Sequence, residues 1–233
     1  MAIIMHDLAG ADPALRFSPY CWRTRMALAH KGLAVQTIPW RFTDTAALAF
    51  SGQGRVPVIR DGERVVFDSW AIAEYLEDSY PDRPSLFGGA TGRAHARFIN
   101  AWVDGVLLGA IARLIVRDLL DVVAPQDVEY FRNSREARFG KTLEAVQAGR
   151  ETTVADLRAT LLPARLVLGK QPWLGGAAPS YADYILFGSL QWPRCVSRFE
   201  LLAEDDVVAV WRGRMLDLFD GLARNATLHP AVA

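Results

Sequence analysis

Three short stretches in the first 70 residues carry side chains whose types and spacing suit the handling of anions. In Phe17-Ser18-Pro19-Tyr20-Cys21, a serine followed by proline marks a helix start, with Ser at the cap and Pro at the first helical position. Such a start either only caps its helix, or also presents a hydroxyl and the positive helix end to a thiolate carried in by a ligand. Cys21 lies one turn further on, where a small packed residue is a better reading than a nucleophile. In Arg55-Val56-Pro57-Val58-Ile59 a proline opens a strand. A plain strand start and a turn that frees the Val56 N–H and C=O for an extended peptide carry equal weight there. In Phe67-Asp68-Ser69-Trp70, Ser69 reads as a helix cap whose helix end suits a carboxylate, and Asp68 suits an ammonium.

The elements that must position these residues follow from periodicity. Residues 2–6 and 35–40 read as strands, with a helix over 19–31 between them closed by Gly32. Residues 57–60 and 64–67 flank Asp61-Gly62, a hairpin turn, and 69–79 reads as a helix stopped by Pro81. The order β-α-β, an undefined segment over 43–51, then β-β-α makes one small mixed sheet with helices on its faces. The first two strands should be parallel and the last two antiparallel. Residues 85–92 read as a linker between a domain over 1–84 and a second over 93–233. The second domain gives almost no strand signal. Apolar residues from Phe98 to Ile115 recur at helical spacing, and helices are expected over 126–148, 154–168, 181–191 and 205–224.

Composition narrows the function classes. The 233 residues are 51% hydrophobic and 22% charged, the balance of a globular chain with a sizeable core. Lys+Arg and Asp+Glu are 26 each, so no basic field favours nucleic acid or an anionic membrane surface. Cys21 and Cys195 cannot build a disulfide framework, and no Cys/His cluster has zinc spacing, so no metal is expected and a reducing compartment, the cytoplasm, fits. No basic leader and no uncharged apolar run of membrane-spanning length is expected. Only three of the 26 basic residues are lysines, which hints at a GC-rich bacterial genome.

Taken in order, Ser18, Val56-Pro57, Asp68-Ser69 with Ile72 and Tyr75-Leu76, and Pro179-Ser180-Tyr181-Ala182-Asp183 resemble the glutathione transferase family over essentially the whole chain. Ser18-Pro-Tyr-Cys-Trp-Arg-Thr-Arg25, Ala29-His-Lys-Gly32 and Tyr80-Pro-Asp-Arg-Pro84 are similar to the bacterial glutathione-dependent β-etherases, the fungal-type branch that cleaves aryl ethers. The first stretch also looks like a Cys-Pro-Tyr-Cys redox turn whose exposed cysteine is a serine, which speaks against thiol oxidoreductase chemistry through Cys21. The resemblance implies an α/β thioredoxin-like N-terminal domain plus an all-α C-terminal domain, a cis-proline at Pro57, glutathione as co-substrate and a homodimer. The run from Leu8 to Phe17, long for a strand-to-helix loop, is expected to overhang the ligand crevice.

The resemblance also distributes roles. Ser18 would activate the glutathione thiol. Ser69 would hold the γ-glutamyl carboxylate, Asp68 the ammonium, and the Val56 backbone beside Pro57 the cysteinyl amide, with Arg41 and Arg55 as candidates for the glycyl carboxylate. Tyr20, Trp22, Trp102, Val106 and Leu107 are candidate walls of a pocket for an aromatic, hydrophobic electrophile, the last three with a competing reading as helix core. A thiol of pKa about 8.5 must be lowered by roughly two units to be mostly ionised at neutral pH, which takes ~2.7 kcal/mol. One hydrogen bond to the charged sulfur supplies ~1.5–3 kcal/mol and a helix end ~0.3–1 kcal/mol, so Ser18 and its helix suffice. The alternative is a non-catalytic glutathione-fold protein that binds ligands or partners without turnover.

Overall fold

A computed structural model describes residues 2–230. Four strands, β1 (Ile3–Leu8), β2 (Val35–Trp40), β3 (Val58–Asp61) and β4 (Arg64–Phe67), form one sheet in the order β2-β1-β3-β4. β1 and β2 are parallel, and β1–β3 and β3–β4 antiparallel, as the tight Asp61-Gly62 turn requires. Helices α1 (Pro19–His30) and α2 (Ser69–Ser79) pack on the sheet, and residues 46–51, undefined in the sequence reading, form a 3₁₀ turn.

The second domain is helical throughout. Its helices are α3 (Ala90–Trp102), α4 (Leu108–Ile115), α5 (Val128–Phe139), α6 (Leu143–Gln147), α7 (Arg150–Thr160), α8 (Leu162–Leu168), α9 (Tyr181–Val196) and α10 (Val207–Gly221). α3 begins inside the stretch expected as linker. Two helices expected as continuous are broken for local reasons. Gly140 takes φ +68° and ends α5, after which Thr142 caps α6 by accepting from Ala145 N–H. Pro163, in the first turn of α8, has no N–H with which to continue the α7 ladder, and α8 is separated from α7 at Leu161. α10 bends at 218–220, where Phe219 and Asp220 leave the helical region.

α3 and α4 are joined without a break by a π turn, Val103–Leu107. Together, residues 90–115 have the length and hydropathy of a membrane-spanning helix, but Arg93, Arg97, Asp104 and Arg113 interrupt them. Their apolar side packs on α7 and α9.

α9 is the central helix of the second domain, with 14 of its 16 residues buried. Its start is the capping box read from the sequence: Ser180 N–H donates to Asp183, and Ala182 N–H to Ser180 Oγ. Asp183 also accepts from Leu174 N–H, Gly175 N–H and the Trp211 indole, so one carboxylate ties α9 to the preceding loop and to α10. α9 lies against α1 across the domain boundary. Gly188 makes this approach possible, because a β-carbon there would sit 2.4 Å from the Pro19 carbonyl oxygen. The first turn of α1 is therefore seated directly on the helical domain.

Candidate functional site

Strand register brings the three sequence stretches to one end of the sheet. His6 pairs with Val58, and Val58 with Phe67. The exit of β1, the entry of β3 and the exit of β4 are thus side by side. Ser18 follows the first, Val56-Pro57 precedes the second, and Asp68-Ser69 follows the third. The Val56–Pro57 peptide is cis.

Ser18 caps α1: its Oγ accepts from Cys21 N–H at 3.3 Å. Capping uses a lone pair and leaves the O–H as a donor. The Cys21 sulfur is an internal acceptor within its reach, and a ligand thiolate, being charged, is the stronger one. Ser18 is 4% exposed in the absence of ligand. Cys21 is fully buried; burial first, and then the Asp7 carboxylate, push its pKa well above the usual thiol value. Cys195, also buried, is pushed to about 12 by burial. Neither is a nucleophile at neutral pH.

The cap of α2 is Asp68, not Ser69. Asp68 adopts φ +71° and its Oδ1 accepts from Trp70 and Ala71 N–H at 2.9 and 3.0 Å. The sequence reading placed the cap one residue late, because serine is an equally good cap and nothing local separates the two. Ser69 is therefore the first helical residue, and its carbonyl accepts from Tyr181 Oη at 2.6 Å. Tyr181 packs edge-on against both Trp70 and Phe87, so the second domain braces the start of α2 as it braces that of α1.

The expected pocket walls divide. Trp22 and Leu107 are fully buried and belong to the core, which corrects their assignment. The Trp22 indole donates to the Arg16 carbonyl, and Arg25 stacks on its ring. Trp102 is half-buried against the core, and Val106 is exposed on the π turn. Tyr20 is exposed, and burial of its edge, then Asp104, raise its pKa. Arg55 is exposed beside Val56. Arg41 donates to the Ala11 carbonyl at 3.2 Å and braces the loop after β1. That loop is a short hairpin closed between Ala9 and Arg16, and it docks on the second domain through Ala11 N–H to Val122 O.

Sequence reasoning missed what the second domain contributes. Arg23, fully buried, donates to Asp104 at 2.7 Å and Asn100 at 3.1 Å, and its guanidinium lies 4.7 Å from the centre of the Tyr20 ring. Asp127 accepts from Phe42 N–H, Thr43 N–H and Thr43 Oγ1, fixing the segment after β2 to the start of α5. Partners some 80 residues apart leave no periodic trace. Among the described residues no cluster of metal-ligating side chains occurs.

Comparison with known proteins agrees with this geometry. Residues 17–79 match the glutathione S-transferase N-terminal domain, and residues 94–224 the glutathione S-transferase C-terminal domain. The chain belongs to the glutathione S-transferase family. A maleylacetoacetate isomerase of Pseudomonas aeruginosa is 30% identical over 72% of this chain and 74% of its own length. The glutathione S-transferase-like protein ustS of Aspergillus flavus is 29% identical over 90% of this chain and 82% of its own. The crystal structure of glutathione transferase GSTFuA3 from Phanerochaete chrysosporium superposes with a TM-score of 0.83 at 28% identity, covering 95% of this chain and 97% of that one. A Ceriporiopsis subvermispora glutathione S-transferase solved in complex with glutathione gives 0.79 at 26% identity, covering 94% and 97%.

The burial of both thiols is directly checkable. In the native protein Cys21 and Cys195 should stay unreacted with a dithiobis-nitrobenzoate reagent over minutes, and two thiols should titrate at once in guanidinium. Rapid release of one equivalent from the native protein would return Cys21 to consideration as a nucleophile.

Proposed function

We propose that this protein is a glutathione transferase in which Ser18 activates the glutathione thiol for attack on a hydrophobic, aromatic electrophile. The observation that carries the reading is the convergence of two helix N-termini and the cis Val56–Pro57 turn at one end of the sheet, under a cover supplied by the helical domain. The γ-glutamyl carboxylate would meet the start of α2 at Ser69, where main-chain donors and the helix dipole favour an anion. Asp68 would take the ammonium, and the main chain of Val56 the cysteinyl amide. Arg55 or Arg41 would hold the glycyl carboxylate.

In the reaction the thiol proton leaves to solvent. The thiolate forms a C–S bond to the electrophilic carbon, and the leaving group departs with the bonding pair. β-Aryl ethers, which would expel a phenoxide, are one electrophile class in this reading. Their support is the likeness of Ser18–Arg25 and Tyr80–Pro84 to the β-etherases. The free cysteines fit a reducing cytoplasm. The competing reading is a glutathione-binding protein without turnover; glutathione affinity with no consumption across nitroaryl halides, β-aryl ethers and hydroperoxides would select it.

A homodimer is part of the proposal. Between α2 and α3 lies an open groove of about 540 Å³ lined by Trp70, Glu74, Phe87, Arg93 and Arg97, and Phe98 nearby is 70% exposed. Acid and base on one face make it self-complementary under a two-fold axis. Light scattering at micromolar concentration should give twice 25.8 kDa; a monomer with full activity would remove the dimer from the reading.

Ser69→Ala should fold normally, since Asp68 holds the cap, and should weaken glutathione binding by ~10- to 100-fold, the equivalent of one hydrogen bond to a charged group. An unchanged calorimetric Kd would move the γ-glutamyl site elsewhere.

Ser18→Ala should raise the pKa of bound glutathione by roughly one to two units, at ~1.36 kcal/mol per unit. The sign follows from which form is stabilised: the hydroxyl favours the thiolate, so its loss favours the thiol, lowers activity at neutral pH and allows partial recovery at alkaline pH. Thiolate absorbance of the binary complex titrated against pH measures this. An unaltered pKa would reduce Ser18 to a cap.

A further inference from the structure

α5 carries three arginines at positions 132, 135 and 138, and they are treated differently. Arg132 is matched by Glu136 and Glu144 at 2.8 and 2.9 Å. Arg135 and Arg138 are not matched. The Arg135 guanidinium lies over the rings of Phe42 and Phe131, 4.9 and 4.6 Å from their centres, and its hydrogen bonds go to hydroxyls, of Ser134 at 2.8 Å and of Tyr130. Arg138 and Arg55 are both close enough to repel it, and Arg138 also acts on Tyr20. Among the described residues no carboxylate comes within ion-pair distance of Arg55, Arg135 or Arg138.

Each acid that faces the same space already holds at least one internal donor. Asp104 holds Arg23 and Asn100, and Asp68 caps α2. Arg135 is half-buried while Arg55 and Arg138 are exposed, and a half-buried cation beside like charges and without a counter-ion carries a free-energy cost that a bound anion relieves. Burial and the neighbouring arginines accordingly hold the Arg135 pKa below its ordinary value. Beside these cations stand two exposed aromatic rings, Tyr20 at 38% and Tyr130 at 48%. The Tyr130 ring is 6.2 Å from Phe42, so Arg135 and Tyr130 share one platform.

We propose that the electrophile taken by this site is an anion: an aromatic compound bearing a carboxylate, its ring against Tyr20 and Tyr130 and its carboxylate held by Arg135 and Arg138. This rests on the transferase reading and sharpens its substrate class. The carboxylate is a spectator in the displacement. With an aryl chloride the C–S bond forms, the C–Cl bond breaks, chloride leaves with the electron pair and the thiol proton passes to solvent. The same guanidinium chemistry would suit the glycyl carboxylate of glutathione, so the test must separate the two sources.

Two pairs of probes do so. Dinitrobenzoate and its methyl ester, which lack a leaving group, are titrated calorimetrically into the protein with glutathione present. Chloro-dinitrobenzoate and its methyl ester are compared in turnover. The acid should bind about tenfold or more tightly than the ester, as expected of a charge-assisted pair, and show the lower KM. Arg138→Gln and Arg135→Gln should bring the acid-to-ester ratio toward one, and Arg138→Lys should restore part of it. Arg64→Gln, an equal loss of charge on the distant hairpin, should keep the wild-type ratio. Should Arg135→Gln fail to fold, the exposed Arg138 variants still report.

Equal binding of acid and ester overturns the proposal. So does an Arg138 variant that loses glutathione affinity while its acid-to-ester ratio stays at the wild-type value, which assigns the arginines to the glycyl carboxylate. A binding preference for the acid with no turnover of either chloride supports the charge selection and overturns the transferase reading instead.

Discussion

The first turn of α1 is held from the second domain, and the rest of the site depends on that seat. Gly188 of α9 lets the Pro19 carbonyl approach to a distance no side chain would permit. One turn on, Arg23 is fully buried and pairs with Asp104 and Asn100. Asp104 is partly exposed, but its loss would leave the buried Arg23 charge with Asn100 alone, so the pair is costly to break. The contact thus fixes the helix end far more firmly than an exposed ion pair would. Ser18 caps that end, and Tyr20 lies on the Arg23 guanidinium. Placement of the proposed nucleophile activator and of the nearest aromatic wall is one problem with one solution.

The start of α2 is fixed in a related way. Tyr181, on the first turn of α9, donates to the Ser69 carbonyl and packs on Trp70 and Phe87. One helix therefore braces both helix N-termini to which the proposed glutathione contacts are assigned. The capping box at Ser180–Asp183 fixes the register of α9, and through it both starts. This gives a physical reason for so polar a device in so buried a place: the carboxylate satisfies three further donors that would otherwise be stranded.

Charge around the crevice follows a division between holding and selecting. Asp104 and Asp127 are held by internal donors and build the walls, while Asp68 caps α2 through Oδ1 alone. Among the described residues, Arg135 and Arg138 of α5 and Arg55 before β3 have no carboxylate within ion-pair distance, although the chain as a whole carries no net charge. Net composition and local field are separate properties, and ligand choice depends on the second.

Much of the fold was legible in the sequence. Strand alternation, the Asp61-Gly62 turn and Ser-Pro at the start of α1 are local signals, since each is decided by residues within a few positions. β2, β4 and α2 were read to the residue, and the strand register brings Ser18, Val56-Pro57 and Asp68-Ser69, singled out by type and order, to one end of the sheet. Local ambiguity limited the rest: Asp68 and Ser69 cap equally well, and only the positive φ of Asp68 decides between them. Trp22 and Leu107 carry apolar side chains that suit a pocket wall or a core equally, and only packing against the other domain buries them. Arg23–Asp104, Asp127 at residues 42–43 and the unmatched pair on α5 join elements far apart in the chain. The sequence determined which elements form and which residues end them, because those interactions are short-range; the tertiary structure decided which charges meet a partner within the chain and which do not, because that depends on where the two domains touch.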